Sequence, residues 1–340
     1  MRIVRAAIAA AAAIGVLAAC GADAERCGLG RGNTTRAVVI PNGATLGSAA
    51  DSLHTVGLIK SKALFRLYAK VAGRERTIKA GRYRFSCDKA TWGGMLERLA
   101  LGPDERRLTV PEGYRLTEIV PLIAETIGAP EDSVWEAVRD TALRHKLDIP
   151  IPDLEGYLFP DTYHLSYGTP PGEVIETMVR RFQQVWQPEW DERLHELAMN
   201  RHDIVTLASI VEKEARLDEE RAVISAVYHN RLRDGMPLQA DPTVQYARGQ
   251  HTNRVLYRDL EIESPYNTYR NAGLPPGPIA APGKASIYAA LYPAQVPYKF
   301  FVAHPDGHHE FRVTFREHTE ARAEIRREQR RRERERKGGS

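Results

Sequence analysis

Two glutamates flank a lysine in Glu212-Lys-Glu214, at the end of the apolar run Ile204-Val-Thr-Leu-Ala-Ser-Ile-Val211. A carboxyl group beside apolar side chains loses hydration, which disfavours its charged form and raises its pKa toward the range of a general acid. Helical periodicity decides which glutamate qualifies. At about 100° per residue, Ile204, Leu207, Ala208, Val211 and Ala215 form one stripe. Glu214 lies roughly 60° from the stripe centre, over the turn of Ile210 and Val211, whereas Glu212 lies roughly 95° away on the other flank. Lys213 points nearly opposite. Glu214 is therefore the candidate acid, and Asp218, one turn further on, would push its pKa the same way if ionised. The alternative is an ordinary flank glutamate paired with Lys213 or Arg221.

Long loops follow this helix: Met236 to Tyr246, Ser264 to Tyr269 and Gly273 to Gly283. Such loops in a compact domain are often functional. Tyr266, Asn267 and Tyr269 suit a sugar groove, where rings stack on C–H faces and amides read hydroxyl or acetamido groups; a proline-stiffened surface loop with its tyrosines packed inward is the alternative. His304, His308, His309 and His318 invite a metal site and a metallohydrolase. Their spacing fits no standard zinc pattern, and Tyr298 to Ala303 with Phe311 to Phe315 reads as a β-hairpin turning at Pro305-Asp-Gly307. No metal or cofactor is expected.

The elements that must position these residues follow from pattern. Arg36-Ala-Val-Val-Ile40 is a strand, Ser48 to Leu58 and Leu64 to Val71 are helices, Gly81-Arg-Tyr-Arg-Phe85 is a second strand, and Thr91 to Leu101 is a helix ended by Gly102-Pro103. This β-α-α-β unit resembles the LysM-like modules of cell-wall proteins. Past a junction at Gly102 to Glu105, helices are expected at Thr117 to Ile127, Ser133 to Arg144 and from Pro171 to Asn200, interrupted at Pro188. Asp203 is placed to cap the helix that carries Glu214, and Asp241 to cap a short helix opened by Pro242. The fold class is α+β: leader 1–20, linker 21–35, LysM-like module 36–103, catalytic domain 104–320 and basic tail 321–340.

At 340 residues the chain is too long for one ordinary core. Its 43% apolar and 27% charged residues exclude collagen-like, wholly disordered and polytopic membrane classes. The net charge of +4 is uneven: from Ala321 onward nine basic and four acidic residues give +5, which leaves −1 for the rest. A neutral body argues against nucleic acid as a partner. The tail, Arg322 to Lys337, reads as a solvated helix able to touch anionic lipid or wall polymer. Arg2 and Arg5 followed by the uncharged stretch Ala6 to Ala19 form a secretory leader. Leu17-Ala18-Ala19-Cys20-Gly21 resembles the bacterial lipoprotein signal, with Cys20 as the lipidated residue; an uncleaved signal anchor is the competing reading. Either tethers the body outside the cytoplasm, where Cys27 and Cys87 are an even pair able to form a disulfide.

Six ordered motifs then stand together: Leu154-Glu-Gly-Tyr-Leu-Phe-Pro-Asp-Thr-Tyr163, Ala208-Ser-Ile-Val-Glu-Lys-Glu214, Asn230-Arg-Leu232, Leu238-Gln-Ala-Asp-Pro-Thr-Val244, Tyr266-Asn-Thr-Tyr269 and Gly273-Leu-Pro-Pro-Gly-Pro-Ile-Ala280. From about Ala37 to His318 the chain resembles the bacterial endolytic murein transglycosylases. The resemblance implies Glu214 as catalytic residue, agreeing with the helix geometry, and cleavage of the β-1,4 bond between N-acetylmuramic acid and N-acetylglucosamine with formation of a 1,6-anhydro ring. It also implies that Asn230, Gln239, Asp241, Asn267, Tyr266 and Tyr269 position substrate. Glu155 and Asp161 are expected to organise the groove wall, and they are the second carboxylates if the enzyme is instead a hydrolase. His309 and His318 match family positions with structural hydrogen bonds. The implied partners are glycan strands, peptidoglycan synthases and the cytoplasmic membrane. A wall-binding lipoprotein without activity, or a metal-dependent wall hydrolase, is the alternative.

Overall fold

A computed structural model describes residues 35–338 except 42, 75–77, 87–90, 150–153 and 250–254. The expected leader, the linker up to residue 34, Cys20, Cys27 and Cys87 lie outside the described residues. The rest is α+β, with thirteen α-helices and three two-stranded sheets among the described residues. The chain divides into two compact units: residues 35–108, 123–130 and 163–171, and residues 109–122, 131–162 and 172–338.

In the first unit, β1 (Thr35–Ile40) pairs antiparallel with β2 (Gly81–Ser86), Val38 opposite Tyr83. Alternation puts Val38, Ile40, Tyr83 and Phe85 on the covered face. Over that face lie α1 (Leu46–Thr55), α2 (Lys62–Val71) and α3 (Trp92–Leu101), which contribute Leu53, Phe65, Trp92, Met95 and Leu99 to one apolar cluster. Each helix starts at a hydroxyl cap, Thr45, Ser61 or Thr91, which accepts from a backbone N–H that would otherwise lack a partner. β3 (Glu105–Thr109) pairs with β4 (Thr162–Ser166). Between them in the chain come α4 (Leu116–Ile127), α5 (Glu131–Arg139) and α6 (Thr141–Lys146).

In the second unit, α7 (Pro171–Val185) and α8 (Pro188–Leu197) precede α9 (Arg201–Glu214). Here the expected cap at Asp203 is corrected. Asn200 is the N-cap, and Asp203 completes a reciprocal capping box by accepting from the Asn200 N–H. Ile204 to Val211 are all buried, so α9 is the spine of the unit. The Gly273–Gly283 loop is pinned along it: Ile279 N donates to Ser209 Oγ (3.0 Å) and Gly283 N to Glu212 Oε2 (2.9 Å). Gly156 lets that loop approach, since at φ +82° a Cβ there would sit 2.4 Å from Pro278 Cβ.

After α9 come α10 (Arg221–Arg233), α11 (Asp241–Ala247) and α12 (Lys284–Leu291). Ala240, not Asp241, occupies the N-cap of α11, which frees the Asp241 carboxylate for other contacts. The hairpin is β5 (Phe300–Ala303) with β6 (His309–Arg312). Its second strand ends before Phe315, because Phe315 opens α13 (Phe315–Gly338). Ala321 and Ile325, one turn apart, are buried and fix the start of α13 to the unit. No helix among the described residues is long and apolar enough to cross a membrane.

Candidate active site

Glu214 is the last residue of α9, and the chain leaves the helix at Ala215 in an extended conformation. Its carboxyl therefore stands at the negative end of the helix dipole, which opposes ionisation. Tyr228, on α10, donates its hydroxyl to Glu214 Oε1 at 2.9 Å. That hydroxyl is placed by packing: Tyr228 is buried, and the Phe301 ring meets it edge-on, 6.1 Å between centroids.

The two residues open onto a cavity of about 470 Å³, also lined by Arg231, Gln239, Asp241, Tyr257, Tyr269, Phe301, His309, His318 and Arg322. The volume is that of a small-ligand site. Tyr269 donates to Asp241 Oδ1 at 2.6 Å. Arg231 spends its guanidinium on the carbonyls of Lys299 (2.6 Å) and Leu238 (2.7 Å), tying α10 to the hairpin and to the Gln239 loop. Gln239 has φ +50°, an uncommon backbone state that turns the chain toward Asp241. His309 is held by Glu220 through its N–H (2.8 Å) and Nδ1 (2.6 Å).

Burial pushes the pKa of Glu214 up to about 7, and the negative charge of Asp241 adds to this; the Tyr228 hydrogen bond and Arg231 pull the other way. Burial, then the Glu214 charge, raises Tyr228 well above an ordinary tyrosine, so its hydroxyl remains a donor. Asp218 does not supply the neighbouring charge expected from the sequence, because it pairs with Arg221 at 3.1 Å; Asp241 supplies it instead. Glu212, rather than Glu214, makes the ordinary flank pairing: it accepts from Arg221 (3.2 Å) and from Gly283 N, its side chain only 6% exposed.

The structure brings Glu214, Gln239, Asp241 and Tyr269 together on one cavity. Other expected site residues are placed elsewhere. Asn230 donates to the Val296 and Tyr298 carbonyls and lines a larger cavity of about 940 Å³ on another face of α10. The carboxylates of that larger cavity are engaged, Asp203 in the α9 cap and Glu196 with Arg193. Asn267 is fully buried and donates to the Leu260 and Ile262 carbonyls, shaping the loop that presents Tyr269. Tyr266 packs its ring 4.8 Å from that of Tyr246. Glu155 is buried, accepting from Leu116 N and the Tyr246 hydroxyl, and Asp161 pairs with Arg181. His304 meets Glu310 and His308 meets Asp306, and among the described residues no three of His, Cys, Asp and Glu converge on a metal position. Tyr228, Arg231, Phe301 and Arg322 were not expected at the site.

The arrangement is that of an acid–base enzyme site, with the protonatable carboxyl of Glu214 in a cavity rimmed by aromatic rings, the Gln239 amide and the Asp241 carboxylate. The YceG-like family matches residues 38–324 of the chain. The chain is 35% identical to an endolytic murein transglycosylase of Bacillus subtilis, over 85% of this chain and 84% of that protein. It is 30% identical to one from Streptococcus pneumoniae, over 78% of this chain and 54% of the longer relative. The crystal structure of a yceG-like protein from Listeria monocytogenes superposes with a TM-score of 0.59 at 31% identity, covering 85% of this chain and all of that one. The chain belongs to the YceG-like family, that of the endolytic murein transglycosylases.

Proposed function

We propose that this chain is an endolytic lytic transglycosylase. It would cut the β-1,4 bond between N-acetylmuramic acid and N-acetylglucosamine within peptidoglycan strands, leaving 1,6-anhydromuramoyl ends. The observation that carries this reading is the buried carboxyl of Glu214, with pKa about 7, hydrogen-bonded by Tyr228 at the cavity wall. At neutral pH such a group is populated in both protonation states, as one acid–base residue requires. Protonated Glu214 donates to the glycosidic oxygen as the C1–O bond breaks and positive charge develops at C1. The carboxylate then takes the proton of the muramoyl C6 hydroxyl, whose oxygen bonds C1. The proton returns to Glu214, and no water is consumed. A glycosidase that uses water needs a second carboxylate; an internal hydroxyl gains high effective molarity instead.

In this reading Gln239, Asp241 and Tyr269, which line the cavity, contact the sugars. In this reading residues 36–103 form a LysM-like wall-binding module, residues 104–320 the catalytic domain, and lipidation of Cys20 or an N-terminal anchor tethers the enzyme at the outer face of the cytoplasmic membrane. There it would meet nascent strands and their synthases. The leader pattern supports this placement. Mass spectrometry of murein incubated with wild type and with Glu214→Gln tests the reading. Anhydro ends from wild type alone are expected; reducing ends would identify a hydrolase, and no new ends a binding protein.

A further inference from the structure

The tail helix α13 carries a basic row, His318, Arg322, Arg326 and Arg330, spaced four residues apart and so stacked on one face. Ala321 and Ile325 are buried beside it, so this row is not free to rotate away. His318 and Arg322 line the Glu214 cavity. Arg322 and Arg326 line a second cavity of about 430 Å³, together with Asp241, Gln245, Leu256, Tyr257 and Tyr269. Asp241, Tyr257, Leu260, Tyr269 and Arg322 belong to both, so the two spaces adjoin across these residues.

Like charges one turn apart repel. Among the described residues neither Arg322 nor Arg326 forms an ion pair; Arg326, and with it Arg322, stands beside the hydroxyl of Tyr257, an exposed ring, and holds its pKa below the ordinary tyrosine value. Asp241 is the carboxylate facing the same space, and its Oδ1 already accepts from Tyr269. Two exposed guanidinium groups on a space that adjoins the cavity of the catalytic acid form a site for carboxylates, which arginine grips through paired hydrogen bonds.

We propose that Arg322 and Arg326, with Tyr257, bind the free carboxylates of the peptide carried on the muramoyl lactyl group, making the enzyme selective for peptide-bearing strands. The proposal rests on the transglycosylase reading. A muramoyl unit placed at Glu214 must direct its peptide out of the cavity, and this arm supplies both space and opposite charge. Arg326 lies past residue 324, where the family match ends, so the arm extends beyond the part shared with the family.

The test compares kcat/KM for anhydro-end formation on three uncross-linked strand preparations: peptide-bearing, stripped of peptide by an amidase, and peptide-bearing with the carboxylates amidated. Wild type should favour the native peptide-bearing strands over both others by roughly tenfold, the scale of one charge-assisted contact. Arg326→Gln should collapse that ratio toward one, and Arg326→Lys should keep most of it. Arg326 is exposed, so its substitution leaves the fold intact; the amidated strands test the same contact with no substitution at all. A wild-type ratio near one, or a ratio unmoved by Arg326→Gln, overturns the proposal. So does a ratio unmoved while Arg326→Gln loses binding to phosphatidylglycerol vesicles, which would assign the row to lipid. No anhydro ends from wild type on any strand would instead overturn the transglycosylase reading, a result distinct from unselective cleavage.

Discussion

Tyr228 donates to Glu214 Oε1 across 2.9 Å, joining the middle of α10 to the last residue of α9. The bond favours the carboxylate and so opposes the burial that raises the Glu214 pKa. Tyr228→Phe removes the hydroxyl and keeps the ring. The alkaline limb of the pH–kcat/KM profile should move to higher pH, and kcat should fall about tenfold as the acid loses its orientation.

In wild type, loss of the proton from Glu214 should remove the general acid, so kcat/KM should decline above a pH of about 7. The same shift has a stability counterpart. Between the ordinary glutamate value of 4.5 and about 7, the folded chain holds a proton that the unfolded chain releases. The stability this confers is complete below pH 4.5 and is lost as pH rises through about 7. Glu214→Gln has no charge to bury, so relative to wild type it should gain about 3 kcal/mol between pH 4 and pH 8, read by chemical denaturation at both.

Asp241 acts on Glu214 with the opposite sign from Tyr228, because its charge raises the pKa of the acid. Asp241→Asn keeps an acceptor for the Tyr269 hydroxyl. The alkaline limb should therefore move to lower pH, the reverse of Tyr228→Phe. Matching directions in the two variants would refute the electrostatic account of the site.

Glu212 and Glu214 should separate cleanly under substitution. Glu212→Gln leaves the Arg221 guanidinium without its buried counter-charge and weakens the grip on Gly283 N. A loss of about 2 kcal/mol in unfolding free energy is expected, with anhydro product still formed by the folded fraction. Glu214→Gln should show the reverse: a fold retained and product abolished.

The stripe from Ile204 to Ala215 pointed to Glu214, yet α9 is buried all round from Ile204 to Val211 and the Glu212 side chain is buried too. The two glutamates are told apart by their partners, Tyr228 for Glu214 and Arg221 with Gly283 N for Glu212. The first-unit elements were legible from pattern: Val38 and Ile40 alternate, and Ala49 with Leu53, Phe65 with Ala69 and Met95 with Leu99 stand at helical spacing. The cavity wall was harder. Tyr228 lies in a stretch buried all round, Ile224 to Tyr228, where no stripe marks a functional face. The available signal was chemical: a tyrosine in a buried helix needs a partner for its hydroxyl. Asn230 and Asn267 drew attention as sugar-reading amides, yet each holds two backbone carbonyls. A buried amide that braces a loop and one that reads a ligand have the same composition, and only the direction of the side chain tells them apart. Arg322 reaches the cavity from a helix whose own pattern is that of a solvated tail.

The cavity also has an order of assembly. Glu214 emerges from the ribosome well before β5, β6 and α13, which supply Phe301, His309, His318 and Arg322. A chain threaded outward from its N-terminus thus carries its acid long before the far wall of the cavity exists. The enclosure of Glu214 is completed only by that last segment, and a polypeptide ending before β5 leaves the acid on an open wall.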